Sequence, residues 1–130
     1  TYVKILLDGN KFNRGLTFAS NKITIPSGGD GDYYCSEWID FNTYKNGGFG
    51  HGVCAIFKNG SHHVETAINF KNADEDYHAS KGKATFNGIL PDLNATDYLE
   101  VFAYVSMDQT TASYRAANNT MITLFKVNND

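Results

Sequence analysis

Four histidines, a scatter of acidic residues and two cysteines are the side chains whose chemistry could go beyond packing. His51, His62, His63 and His78 are candidate bases or metal ligands. No His-x-x-x-His or His-Glu-x-x-His spacing is present to hold zinc. His62 and His63 are neighbours on a predicted strand, so they face opposite ways and cannot chelate together. No Ser or Cys stands in a Gly-x-Ser-x-Gly elbow. The four read as surface histidines. Asp30 and Asp32, with Asp74, Glu75 and Asp76, have the charge to hold calcium but lack the ordered Asp-x-Asp-x-Asp-Gly loop, and read as solvated acids. Cys35 and Cys54 fit neither a metal quartet nor a disulfide framework. A cross-sandwich disulfide and reduced core thiols both fit, and the tendency of free Cys to pack as a small hydrophobe favours thiols. Tyr33, Tyr34, Trp38, Phe41, Tyr44 and Phe49 could stack on a sugar, although packing is their expected use. The sequons at Asn59, Asn94 and Asn118 matter only in a secreted protein. No catalytic residue, metal ligand or cofactor site is assigned, and a non-enzymatic protein is expected.

The elements that position these residues are strands. Nine Phe, eight Tyr and 12 Gly against 2 Pro favour an all-β chain. The 130 residues suit one domain, 1–130, large enough for a core without disulfide staples. A net charge of −3 without a basic patch argues against a nucleic-acid partner. No Lys/Arg run suggests a membrane surface, and no apolar stretch reaches transmembrane length. No signal peptide is visible; Thr1 fits removal of an initiator Met, and a cleaved signal fits equally.

Period-two runs predict strands over 2–7, 16–20, 22–25, 32–41, 52–57, 62–70, 83–90, 98–106 and 120–127, with a weaker strand within 107–119. Pro26-Ser27-Gly28-Gly29 is a turn, and Asn59-Gly60 is a strong hairpin signal. Residues 42–50 and 71–82 are predicted loops; 73–80 is the best helix candidate but is short and polar. A turn is expected over 91–97. Strands at this spacing suggest a sandwich or jelly roll.

Three strands are apolar on both faces. Val53, Ala55 and Phe57 alternate with Cys54 and Ile56; Leu99, Val101, Ala103 and Val105 alternate with Tyr98, Phe102 and Tyr104; Met121, Phe125 and Val127 alternate with Ile122 and Leu124. A sandwich strand ordinarily shows one polar face. A neighbouring subunit is the simplest second cover, and burial within the monomer is the plainer alternative.

Three ordered blocks resemble the C1q-like and tumour-necrosis-factor-like jelly rolls. Ile23-Thr24-Ile25-Pro26 followed by Gly31-Asp32-Tyr33-Tyr34-Cys35-Ser36 is similar to that family's Val-Pro and Gly-x-Tyr-Tyr-Phe-Ser strand. Val53 to Gly60, ending Lys58-Asn59-Gly60, is similar to the strand and hairpin that follow. Thr96 to Val101, with the closing Asn119 to Phe125, is similar to Gly-Asp-x-Val-x-Val and the family's last strand. The likeness spans about residues 23–127. Asp32 where an apolar residue is common, Cys35 in place of Phe, Thr96 in place of Gly, a last strand without Gly and the lack of a Gly-X-Y stalk mark a divergent relative.

The resemblance implies a jelly-roll homotrimer with one sheet of each subunit around a three-fold axis. Tyr98, Phe102, Tyr104, Ile122 and Leu124 are the expected axis residues; a slip of one in the alternation would exchange core and axis sets. Small jelly-roll trimers of this kind serve tailed phages as capsid decoration or cement proteins. The expected partners are therefore the chain itself and the major capsid protein, at the virion surface. Tyr2, Tyr44, Phe49, Asp74 and Glu75 are the candidate capsid contacts. The alternatives are the receptor- or glycan-binding head of a phage fibre, and a secreted C1q-like ligand or lectin.

Overall fold

Alternating apolar and polar side chains build ten strands and no helix among the described residues. The structure, a computed structural model, describes residues 2–5, 16–43, 49–69, 81–107, 114–116 and 121–127. The strands are β1 (Val3–Lys4), β2 (Thr17–Ala19), β3 (Lys22–Thr24), β4 (Gly31–Thr43), β5 (Phe49–Lys58), β6 (Ser61–Asn69), β7 (Lys81–Leu93), β8 (Tyr98–Met107), β9 (Tyr114–Ala116) and β10 (Met121–Lys126). They form two antiparallel sheets, the layers of a β-sandwich. The larger has the order β2-β3-β8-β5-β6, with β1 also on β8; the smaller has the order β10-β4-β7, with β9 also on β4. The pairs are nested: β5 with β6, β4 with β7, and β3 with β8.

The turns follow from local sequence. Gly29 N–H donates to the Pro26 carbonyl across a four-residue turn, and Gly28 takes the positive φ of 79° that the turn requires. Asn59 and Gly60, at φ of 53° and 83°, close the β5–β6 hairpin as a type I′ turn. Its twist matches that of the strands it joins.

Expectations change at several element ends: β4 runs on to Thr43 and β5 already begins at Phe49, inside the loop expected over 42–50. The turn predicted from residue 91 begins later, because β7 continues through Pro91 to Leu93. Pro91 is tolerated because β7 is an edge strand and because its register against β4 shifts between Gly31 and Tyr33. Among the described residues the first strand is Val3–Lys4, extended by the Ile5 N–H to the Val101 carbonyl; residues 6 and 7 of the expected strand lie outside them. Of the loop expected over 71–82, residues 71–80 with the helix candidate within them lie outside the described residues, while Lys81 and Gly82 already belong to β7.

The core lies between the sheets. On β4, Tyr33, Cys35, Glu37, Ile39 and Phe41 are buried and alternate with half-exposed Tyr34, Ser36, Trp38 and Asp40. From the other side Cys54 and Ile56 of β5 and Leu99, Val101 and Ala103 of β8 close on them. Ile25, Leu90 and Leu93 join the same cluster near the turn of Pro26. Both cysteines are buried free thiols, so of the two readings of the pair the structure carries the reduced one.

Candidate interaction face

Each sheet also has an outward face, and the two are built differently. On the larger sheet β5 is buried on both sides: Val53 and Ala55, opposite Tyr104 and Phe102, point outward yet are covered. The cover is the chain's own rings. Phe57 and Phe102 stack with centroids 4.0 Å apart. Tyr2, brought in by β1, lies 5.3 Å from Phe57 and 5.8 Å from Tyr104. His62 closes the cluster 5.7 Å from Phe57. Polar groups tie its rim. Lys4 Nζ pairs with the buried Glu100 at 2.5 Å, and the Tyr2 hydroxyl donates to Glu65, which also meets His62 Nε2 at 2.9 Å.

On the smaller sheet Tyr34, Ser36, Trp38 and Asp40 point outward from β4. By register Phe125 lies beside Tyr34 and Met121 beside Trp38, while Ile89 faces Tyr34 from β7. Tyr34 and Phe125 rings sit 5.1 Å apart. The large hydrophobics left exposed among the described residues are Ile89 at 50%, Phe125 at 52% and Val127 at 45%. All three belong to this face, Val127 by continuing the alternation of β10. At the other end Lys83 Nζ sits 5.1 Å from the Trp38 ring and 3.7 Å from Asp40. Ser36 and Asn87, hydrogen-bonded at 2.6 Å, form a polar centre.

The five expected axis residues do not share a surface. Tyr98, Phe102 and Tyr104 stand on the outer face of the larger sheet. Ile122 and Leu124 belong to the smaller sheet and point into the core: Ile122 pairs with Glu37 and Leu124 with Cys35, both inward on β4. The alternation of β10 is therefore the reverse of the expected one, with Met121, Phe125 and Val127 outward. Of the expected capsid contacts, Tyr2 belongs to the aromatic cluster. Phe49 opens β5, but its side chain, with Tyr44, Asp74 and Glu75, lies outside the described residues.

The remaining candidates are structural where they are described. Asp30 and Asp32 accept the backbone N–H groups of Ala95 and Asp92 at 2.7 and 2.9 Å, tying β4 to the β7–β8 end of the sandwich. Asp97 accepts from Asn59 Nδ2 and the Asn94 N–H, both at 2.8 Å, and these bonds hold its carboxyl below the usual range. His63 is the extra residue of a bulge where Ile56 faces Val64 and Phe57 faces His62; burial lowers its pKa. No group of three His, Cys, Asp or Glu side chains suited to a metal exists among the described residues.

Glu37 was not singled out by sequence, although a carboxyl on the stripe Tyr33, Cys35, Glu37, Ile39, Phe41 was visible there. It is fully buried. Cys54 Sγ donates to its Oε1 at 2.9 Å, and Oε2 has no protein partner among the described residues. Burial pushes its pKa up to about 7, and burial likewise pushes both thiols up.

No protein-family model matches the chain, and no curated protein matches it. Among the described residues no helix is long and apolar enough to cross a membrane.

Proposed function

We propose that the chain is a non-enzymatic, homotrimeric jelly-roll module that decorates a tailed-phage capsid, with the outer face of the smaller sheet as its subunit contact. The observation that carries the contact is the gathering of Ile89, Phe125 and Val127, the exposed large hydrophobics among the described residues, on that single face. Exposed apolar groups clustered on one sheet face mark an association surface more often than a solvated one. The nested pairing of β3 with β8, β4 with β7 and β5 with β6 supports the jelly roll, whose strands wrap as successive antiparallel pairs. The thiol–carboxyl pair of Cys54 and Glu37 is sealed in the core, where no substrate reaches it, which favours a structural role over catalysis.

The step to a capsid rests on the resemblance, since a fold hosts many functions. A trimer on a three-fold position would bridge neighbouring capsid subunits and resist internal pressure through buried surface alone. Sedimentation at micromolar concentration is expected to give three times the chain mass; a stable monomer would overturn the assembly. The trimer is expected to bind purified phage capsids. Binding to a glycan array or to cells, with none to capsids, would replace decoration by recognition.

A further inference from the structure

Glu37 is the buried ionisable group that the association reading leaves unused. It sits in the middle of β4 with its side chain toward the larger sheet. Cys35 and Ile39 flank it on its own strand, and Phe86 of β7 and Ile122 of β10 are its lateral partners. Across the core it meets Cys54 of β5, with the apolar Leu99, Val101 and Ala103 of β8 completing that wall. The titratable groups on these packed elements that face it are therefore the two thiols, which burial keeps protonated and neutral. No Lys, Arg or His side chain pairs with it among the described residues. A carboxylate here would have one weak thiol donor and an oxygen with no partner, and a buried charge left so poorly matched is costly. A neutral carboxylic acid fits the same space at far lower cost.

We propose that Glu37 is a proton-operated latch between the two sheets: as a neutral acid it lets the sandwich close, and loss of its proton loosens β4 from β5. The latch belongs to the core of a single chain and holds whatever covers the smaller sheet, so it stands apart from the trimer reading. The sign follows from linkage. The folded chain holds this proton more tightly than the unfolded chain does. Its stabilising effect is complete below the ordinary glutamate pKa, falls as pH rises from there to about 7, and changes no further above that.

The test compares wild type with Glu37→Gln, a neutral residue of the same shape, in denaturant titrations from about pH 5 to about pH 8. The folding equilibrium constant of the wild type is expected to fall on the order of a hundredfold more than that of the variant across this range. Equal pH dependence in the two proteins would overturn the latch. A second measurement needs no variant. The folded wild type at about pH 6, where exposed carboxyls are ionised, should show the infrared carbonyl band of a protonated acid, and the band should fade by about pH 8. Absence of that band at the lower pH would mean a buried carboxylate and would overturn the proposal even if Glu37→Gln failed to fold.

Discussion

The two outward faces begin from similar sequence and end differently. β5 and β8 are apolar on both sides, and so is β10. On the larger sheet the small outward residues Val53 and Ala55 lie beneath large ones: Phe57 and Phe102 stack, and Tyr2 and His62 lean over them. Its buried acid, Glu100, is matched by Lys4. On the smaller sheet the Tyr34 ring lies 5.1 Å from Phe125, yet the large outward residues are less covered. The short polar side chains of Ser36, Asn87 and Thr123 occupy the middle, and Ile89, Phe125 and Val127 remain about half exposed. Double apolarity in a strand is thus met within the chain where enough of its own rings lie over it, and is left partly exposed where fewer do. A two-residue strand, β1, makes the difference on the larger sheet by delivering Tyr2 and Lys4.

The largest expected effect would break this contrast directly. Phe125→Asp places a charge in the apolar cluster of the proposed contact, where its desolvation on association would be prohibitive. The variant should sediment as a folded monomer at micromolar concentration, with its circular dichroism unchanged. Phe102→Asp, on the covered face, should instead lower the unfolding midpoint. If Phe125→Asp stays trimeric while Phe102→Asp dissociates without unfolding, the roles of the two faces are exchanged.

A smaller effect sharpens the same contrast within the monomer. Phe57→Ala removes a ring that stacks on Phe102 and borders Tyr2 and His62. Fully buried Phe→Ala changes cost about 3–5 kcal/mol, and Phe57 is only half-buried, so a loss of about 2 kcal/mol is expected in denaturant titration, with the proposed trimer unaffected. Ile89→Ala in a monomeric background such as Phe125→Asp should cost less than about 1 kcal/mol, because half of its surface is already in water. Equal losses would mean that the smaller sheet's face is as well packed as the larger one's.

Much of the layer structure was legible in the sequence, because period-two alternation and turn chemistry are local. The Asn59-Gly60 hairpin, the buried stripe of β4 and the inward Leu99, Val101 and Ala103 all follow from it. The parity of β10 was not legible. Its two faces, Met121, Phe125 and Val127 against Ile122 and Leu124, are equally apolar, and only the pairing of Ile122 with Glu37 and Leu124 with Cys35 decides between them. The same holds for the cover of β5, which depends on a strand from the far end of the chain reaching β8. Glu37 was legible as an anomaly, a carboxyl on an apolar stripe. That it lacks a cation among the described residues could be known only once β5, β7 and β10 were in place.

The smallest effect isolates what β1 contributes to the covered face. Tyr2 brings a ring and a hydroxyl, and the two can be separated. The hydroxyl donates to Glu65; that bond first, then burial, pushes the Tyr2 pKa up to about 12, and the same bond, followed by that from His62, holds the Glu65 carboxyl below its usual range. A depressed carboxyl stabilises the fold above the ordinary glutamate pKa and loses that contribution as pH falls through its folded value. Glu65 is 43% exposed, so solvent screens most of the interaction. Tyr2→Phe should therefore cost less than about 1 kcal/mol at neutral pH, and the difference from wild type should shrink in acid. Tyr2→Ala, which also uncovers Phe57 and Tyr104, should cost more at every pH. If the two substitutions cost the same, the hydroxyl and not the ring is what closes the larger sheet, and the contrast between the faces becomes one of hydrogen bonding rather than of aromatic cover.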